Sequence, residues 1–376
     1  MTRPTTVFLS IIACAAIAGC ATDTTDNLVA PAASSAQISS SLQSAVSNDE
    51  FNGEDDDDSE APYTLAVIGD TPYGAVKLAE FPSLVAKINA DPTVRLVAHL
   101  GDVKAGKNSL CTNEYLANIR GLFDGFADPF AYTPGDNEWT DCHASKGNGL
   151  YTPTERLQKV RSLFFPVSGR TLGGHSMRVV TEASDPRNSA YVENTLWRKA
   201  RVVFAMLNIT GSNNDLVAWG TLPSDAGNYP SQSAEYAARA QANSAWLQKT
   251  FSAAKRTHAA GIVLMFQADM WDPAEPTLTG FDALVQQIGT LAQEFRKPVL
   301  LLEGDSHKFN VDNPYSTSSA LHGLHASTPV VGNVTRIVVE GSDAGHTEYL
   351  RLTIDARKKS SLFSWERVPL NQRPLP

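Results

Sequence analysis

Residues 299–305 read Val299-Leu300-Leu301-Leu302-Glu303-Gly304-Asp305, an apolar run of strand length that ends in Gly-Asp. The same pair closes three further apolar runs, at residues 65–70, 96–102 and 130–136. One such pair is an ordinary turn, because glycine permits the turn and aspartate satisfies the loop backbone. Four pairs favour a shared function, since open parallel sheets place their sites beyond the carboxyl ends of their strands.

Short apolar runs alternate with longer helical stretches from residue 63 onward. Strands are predicted at residues 64–69, 95–100, 130–133, 201–208, 261–266 and 299–303. Helices are predicted near residues 77–90, 112–124, 154–165, 233–258 and 278–296. This alternation is typical of an α/β fold, with a mainly parallel sheet covered by helices. Three strand-like runs after residue 333 (334–340, 348–354 and 361–365) predict further β-structure in the same domain.

The charge of the chain is unevenly distributed. The length of 376 residues suits one large or two small domains, and the 42% hydrophobic content is ordinary for a globular protein. The net charge of the chain is −9. Residues 21–62 hold ten acidic residues and no basic one, so residues 63–376 are close to neutral. A neutral body argues against a basic nucleic-acid-binding domain. No obligate protein partner is inferred.

The N-terminus has the features of an export signal. Arg3 precedes an apolar run at residues 7–18, and the run ends Ile17-Ala18-Gly19-Cys20, which resembles the bacterial lipoprotein cleavage box. We therefore expect residues 1–19 to be a signal peptide and Cys20 to carry lipid; the alternative is an ordinary signal peptide with an accidental cysteine. Ala21 follows the cysteine, which resembles an outer-membrane destination in a Gram-negative source, with the body facing the periplasm or the surface. Membrane contact would be through the lipid anchor only.

Residues 20–62 are predicted to be a disordered linker, because their Ser-, Ala-, Thr- and Asp-rich composition buries too little to fold. Their acidic run at 54–60 is most simply a solvated spacer, with calcium binding as an alternative. Cys111 and Cys142 are the pair of cysteines left in an oxidising compartment, and we expect a disulfide between them. The alternative is two free buried thiols.

Four carboxylates at one sheet edge would repel one another unless something cationic lies among them. Metal ions are the natural partner, and one bridging carboxylate can serve two ions. At residues 65–312 this arrangement resembles the calcineurin-like metallophosphoesterase superfamily. Its members carry the motifs DxH, GDxx, GNH[ED], a lone His and GHxH, each at a strand end. The resemblance implies a sandwich of two mixed β-sheets flanked by helices, with residues 63–376 as the phosphoesterase domain.

The family motifs transfer onto this chain only in part. Gly69-Asp70-Thr71-Pro72, Gly101-Asp102, Gly135-Asp136-Asn137-Glu138 and Gly304-Asp305-Ser306-His307 stand at four motifs, and Gln267 stands at the lone His. The resemblance implies six metal ligands: Asp70, Asp102, Asp136, Gln267, Asp305 and His307. Pro72 cannot ligate where the family has a histidine. Asn137 replaces the catalytic histidine that would protonate the leaving group.

These departures change the expected chemistry. Four Asp and one His make an oxygen-rich site, which favours Mn²⁺, Mg²⁺ or Ca²⁺, although Fe and Zn also remain as alternatives. One or two ions are expected, and the loss of a ligand at Pro72 leaves a single-metal site open. Lys104 and Lys107 follow Asp102 and could supply positive potential to a substrate; the alternative for both is a solvated loop.

The function implied by the resemblance is metal-dependent hydrolysis of a small phosphorylated substrate. A metal-bound water would attack phosphorus, with Asp102 and Asn137 as catalytic residues and with Lys104 and Asn137 binding the substrate. Asn137 cannot act as a general acid, so a slow enzyme is expected. His143 and His175 are candidates for that role, although an ordinary structural or surface role is favoured for both. The alternative function is a degenerate, non-catalytic member of the fold that binds metal or a ligand.

Overall fold

The computed structural model describes residues 61–107, 109–143, 151–325, 327–358 and 361–371. Backbone contacts group residues 48–376 into one unit, and every feature given below belongs to it. The expected signal peptide, the lipidation of Cys20 and nearly all of the expected 20–62 linker lie outside the described residues.

Strands and helices follow the pattern expected from the apolar runs. The strands are β1 (Tyr63–Ile68), β2 (Val94–His99), β3 (Phe130–Tyr132), β4 (Val180–Thr181), β5 (Thr195–Lys199), β6 (Val202–Met206), β7 (Gly261–Met265), β8 (Val299–Glu303), β9 (Asn310–Asp312), β10 (Val334–Val338), β11 (Glu348–Ile354) and β12 (Phe363–Pro369). The α-helices are α1 (Gly74–Asn89), α2 (Asn113–Phe123), α3 (Pro153–Phe164), α4 (Gln232–Arg256) and α5 (Asp282–Phe295). Every predicted helix and strand is present, with bounds that differ by a few residues.

The strands form two mixed sheets. One has five strands in the order β12-β11-β1-β2-β3, and the other has seven in the order β4-β5-β6-β7-β8-β10-β9. β1, β2 and β3 are parallel, and so are β6, β7, β8 and β10, while the remaining pairs are antiparallel. The apolar pattern alone predicted one mainly parallel sheet with added strands, and this was wrong. The chain divides its parallel strands between two sheets, each extended by antiparallel strands, so the two mixed sheets flanked by helices that the resemblance implied are present.

Each sheet has an apolar face on both sides, and these faces determine how the sheets and helices stack in layers. Leu65 and Val67 of β1 pack with Phe204 of β6 and Met265 of β7 in a core between the sheets. The alternate side chains of β1 face the other way and pack against α1, α2 and α3. The outer face of the second sheet is covered by α4 and α5. The fold is therefore α/β, with two mixed sheets stacked face to face and helices on both outer faces.

Helix starts are set by local capping. The Thr112 hydroxyl accepts the backbone N–H of Tyr115 at the start of α2, and Ser231 does the same for Ala234 at the start of α4. Among the helices in the described ranges, none is both long enough and apolar enough to cross a membrane.

Candidate metal centre

The predicted ligands converge at one end of the two sheets. Each follows the carboxyl end of a parallel strand: Asp70 after β1, Asp102 after β2, Asp136 after β3, Gln267 after β7, and Asp305 and His307 after β8. Four of the six lie buried, Asp305 is half-buried, and His307 is 18% exposed at its side chain. The sheet topology therefore brings side chains from positions 70 to 307 into one cluster.

Two sets of potential ligand atoms share one residue. The histidine trio is Asp70, Asp102 and His307, and the aspartate trio is Asp102, Asp136 and Asp305. Within each trio the ligand atoms lie within 4.8 Å of one another. Asp102 belongs to both, as a carboxylate shared between two positions would.

The glycines of the Gly-Asp pairs make room for the neighbouring carboxylates. A Cβ atom on Gly135 would lie 2.1 Å from Oδ1 of Asp102, and one on Gly304 would lie 2.4 Å from Oδ2 of Asp70. Any larger residue at either position would displace a ligand oxygen. In each of these two Gly-Asp pairs, the aspartate supplies a carboxylate and the glycine leaves room for the carboxylate that follows another strand.

Four of the six side chains are carried by left-handed backbone. The φ angles are 49° at Asp70, 59° at Asp102, 71° at Asp305 and 59° at His307. This conformation costs roughly 1–2 kcal/mol at a residue with a Cβ atom. Such strain clusters at functional sites, where the surrounding structure holds it in place.

Asp102 receives several hydrogen bonds at a single oxygen. Its Oδ2 accepts from Asn137 Nδ2 at 2.6 Å, from the Tyr73 hydroxyl at 3.0 Å and from Gln267 Nε2 at 3.3 Å. Its Oδ1 accepts the backbone N–H of Asn137 at 3.0 Å. Both amide hydrogens of Asn137 are used, because Nδ2 also donates to the Tyr73 hydroxyl at 3.1 Å.

Tyr73 is a member of the cluster that the sequence analysis missed. Its hydroxyl lies 3.3 Å from Nε2 of His307 as well as within reach of Asp102. Burial, followed by the charge of Asp102, raises the pKa of Tyr73 well above its usual value, so the phenol stays protonated and donates. The available signal was its position three residues after Asp70, on the same loop.

The buried acids carry strongly perturbed pKa values. Burial raises the pKa of Asp70 to about 7, with His307 acting in the opposite direction. Burial and the nearby Asp136 raise the pKa of Asp102 and of Asp305 well above the ordinary range. Oδ2 of Asp70 is buried and has no hydrogen-bond partner. The cluster therefore lacks the positive charge that would hold all of its carboxylates ionised.

His307 is oriented by a second carboxylate outside the cluster. Its Nδ1 lies 2.8 Å from Oδ2 of Asp343, while its Nε2 faces Oδ1 of Asp70 at 3.6 Å. Burial works to lower the pKa of His307, but Asp70 and Asp343 outweigh it and raise the pKa. A histidine that gives one N–H to a carboxylate and turns the other nitrogen inward has the arrangement of a metal ligand.

Gln267 reaches the cluster with its nitrogen rather than its oxygen. Nε2 lies 3.3 Å from Asp102 Oδ2 and 3.2 Å from Asp136 Oδ1. Oε1 accepts the backbone N–H of Gly211 at 2.6 Å. The side chain predicted as a ligand thus presents a hydrogen-bond donor to the carboxylates.

Glu138 joins the loop after β2 to the loop after β3 by hydrogen bonds to their backbones. Its carboxylate accepts the backbone N–H groups of Asp102, Val103 and Gly135, at 3.2, 3.3 and 2.7 Å, and the hydroxyl of Tyr132 at 2.5 Å. These bonds fix the loop after β2 against the loop after β3. The last residue of the third motif thereby supports the loops that carry Asp102 and Asp136.

Lys104, which was predicted to bind substrate, is buried. Nζ donates to the backbone oxygens of Ala105 and Asn137, both at 2.8 Å, so the side chain is not in the solvated loop that was the alternative. Burial lowers its pKa, and the surrounding acids, Asp102 first, act to raise it. Lys107 is exposed.

The predicted disulfide is present. Cys111 and Cys142 are bonded, with their Cα atoms 5.8 Å apart, and both sulfurs contact the backbone oxygen of Asn137. His143 is buried, and its Nδ1 accepts the N–H of Gly220 at 3.1 Å, while His175 is exposed. These placements fit the ordinary roles that were favoured for the two histidines.

A left-handed turn borders the cluster. Ser212, Asn213, Asn214 and Asp215 all have positive φ angles, between 53° and 66°. The Ser212 hydroxyl lies 2.8 Å from Oδ2 of Asp136 and 2.9 Å from Oδ1 of Asp141. The sequence analysis left this segment without an assignment, because consecutive left-handed residues without glycine have no propensity signal.

The chain was compared with family models, curated proteins and solved structures. No family model matches the chain, and no curated protein matches it. A solved structure described as "GAP50 the anchor in the inner membrane complex of Plasmodium" is similar at 10% identity and a TM-score of 0.44, over 83% of this chain and 90% of that one. Likeness at this level carries no argument about what the chain does.

Proposed function

We propose that the chain is a metal-dependent phosphoester hydrolase with a metallophosphoesterase-like sandwich. The observation that carries the proposal is the convergence of four aspartates and His307 at one end of the sheets, in two overlapping trios whose potential ligand atoms lie within 4.8 Å of one another. A catalytic site of an open α/β sheet is expected beyond the carboxyl ends of its parallel strands, which is where these acids lie.

The residues present suit a divalent cation. Asp70 Oδ2 is buried and has no hydrogen-bond partner, and an unsatisfied buried carboxylate oxygen is a place for an ion. The trios supply carboxylates and one imidazole, a donor set that favours Mn²⁺, Mg²⁺ or Ca²⁺ over Zn²⁺. His307 already has its second nitrogen engaged by Asp343, which fixes the direction of Nε2.

When bound, the ion would supply a water of lowered pKa and would neutralise charge on a phosphoryl group. The protein's own groups have narrower tasks. Tyr73 and Asn137 hold Asp102 in one rotamer by hydrogen bonds to Oδ2. Asn137 has no acidic proton to give to a leaving group. A general acid is worth about 10²–10⁴-fold, so substrates with good leaving groups should be hydrolysed best.

A phosphodiesterase assay tests the proposal. The full-length chain, purified without chelator, is assayed with bis-(p-nitrophenyl) phosphate and Mn²⁺ and should turn over. Asp102→Ala should abolish that turnover, whereas Asp225→Asn, a change at an exposed acid, should leave it intact. Equal turnover in the wild type and in Asp102→Ala would assign the activity to a contaminant and would remove the proposal.

A non-catalytic metal-binding protein is the second candidate. It is favoured by the three departures from the family motifs at Pro72, Asn137 and Gln267. Metal bound to the wild type and lost in Asp102→Ala, without turnover on any phosphoester, would select it over the hydrolase.

We also propose that the body is anchored as a lipoprotein through Cys20, in the outer membrane of a Gram-negative source. The support is the Ile17-Ala18-Gly19-Cys20 box after the apolar run. Radiolabelled palmitate should label the wild type expressed in bacteria and should not label Cys20→Ala. Absence of label from the wild type would overturn the anchor.

A further inference from the structure

We propose that the centre binds a single divalent ion, at the histidine trio, and that the Gln267 carboxamide takes the place of a second ion between Asp102 and Asp136. This inference rests on the proposed function, because it takes the cluster to be a metal site. It assigns Gln267 a role opposite to that of a ligand.

The amide of Gln267 has its orientation fixed by the backbone. Oε1 accepts the Gly211 N–H at 2.6 Å. Rotating the amide by half a turn would set its NH₂ group against that N–H, donor facing donor. The two hydrogens on Nε2 then point at two carboxylates, Asp102 at 3.3 Å and Asp136 at 3.2 Å. With one acceptor and two donors used, the buried amide is fully satisfied without metal.

The partner of Gln267 is itself held in place. Gly211 opens the left-handed turn, which is anchored by the buried guanidinium of Arg239 on α4. All five N–H donors of Arg239 are used: two on Glu235, one on the Asn208 backbone oxygen, and two on Asn214, at its side-chain and backbone oxygens. Moving Gly211 to release Gln267 would disturb this arrangement.

The two trios differ in what they lack. In the aspartate trio, Asp102 and Asp136 accept from Gln267, Asp136 also lies within hydrogen-bond distance of Ser212, and Asp305 accepts the Asp269 N–H at 3.3 Å. In the histidine trio, Asp70 Oδ2 is buried without a partner. The unpartnered carboxylate oxygen that a cation would bind therefore belongs to the histidine trio. In the aspartate trio, the amide hydrogens of Gln267 already link Asp102 to Asp136.

Metal stoichiometry tests this inference without reference to activity. Full-length protein is titrated with Mn²⁺ by calorimetry, and the bound metal is counted by mass spectrometry. The wild type should bind one equivalent. Gln267→Glu removes both donors and adds a carboxylate, so it should bind two. Gln286→Glu, the same change on the exposed side of α5, should still bind one.

Electron paramagnetic resonance of the Mn²⁺-loaded wild type keeps the test decisive if Gln267→Glu does not fold. An isolated ion gives the simple hyperfine sextet, and two ions that share Asp102 give a spin-coupled spectrum. Three results would overturn this inference and leave the proposed function standing. They are two equivalents of Mn²⁺ in the wild type, a spin-coupled spectrum of the wild type, and one equivalent in a folded Gln267→Glu variant. No metal in the wild type would instead remove the proposed function together with it.

Discussion

Replacing Asp70 with asparagine should stabilise the metal-free protein, by an amount that grows with pH. Asp70 is fully buried, and its pKa rises from 3.8 to about 7 on folding. Because the folded protein holds this proton more tightly than the unfolded chain does, stability falls as the pH rises from about 4 to about 7. Asparagine has nearly the same shape and no charge, so it escapes this loss.

The size of the effect follows from the shift. At about 1.36 kcal/mol per pKa unit, the penalty on Asp70 is about 2 kcal/mol at pH 5 and about 4 kcal/mol at pH 8. Unfolding entropy of about 2.1 cal/mol/K per residue gives about 0.6 kcal/mol/K for a folded unit of roughly 300 residues. Asp70→Asn should therefore raise Tm by about 3 °C at pH 5 and by about 7 °C at pH 8.

Thermal unfolding in EDTA at both pH values measures this difference. Asp225→Asn serves as the control, because Asp225 is exposed and its replacement should leave Tm unchanged at either pH. With Mn²⁺ at about 1,000 times its Kd the two proteins should melt at nearly the same temperature at pH 8, since binding stabilises the wild type by about 4 kcal/mol and the variant by little. An Asp70→Asn variant that melts below the wild type in EDTA at pH 8 would refute the electrostatic reasoning.

Two further predictions concern the supports of the cluster. Asp343→Ala should weaken Mn²⁺ binding about 10–100-fold in calorimetry, because His307 loses the acceptor of its Nδ1 proton; an unchanged Kd would show that the loop holds His307 without it. Replacing Cys111 and Cys142 together by serine should lower the free energy of unfolding by about 3–4 kcal/mol in urea, as expected for a crosslink over 31 residues. A urea midpoint equal to that of the wild type would contradict this estimate.

Strand ends were the part of the site that the sequence could predict. Asp70, Asp102, Asp136 and Asp305 follow apolar runs of strand length, and parallel strands deliver their carboxyl ends to the same edge. The disulfide followed from cysteine arithmetic, and it was confirmed. These inferences needed only local pattern and a rule of topology.

The direction of side chains could not be predicted in this way. Gln267 was assigned as a ligand because it stands where the similar family has its lone His, but the Gly211 N–H, 56 residues away in sequence, decides which end of its amide meets the acids. Lys104 follows Asp102 by two residues, yet it is buried and its Nζ is held by the backbone oxygens of Ala105 and Asn137. Tyr73 meets His307 across 234 residues. Such contacts exist only once the sheets have packed.

The division of the proposed ligands between the two sheets also implies an order of assembly. Asp70 leaves the first sheet and His307 leaves the second, so the histidine trio does not exist until both have docked. β1, which leads to Asp70, also pairs with β11, so the proposed site would not be complete before nearly all of the chain had folded. Metal uptake would be the last event of maturation and would report that the whole protein has folded.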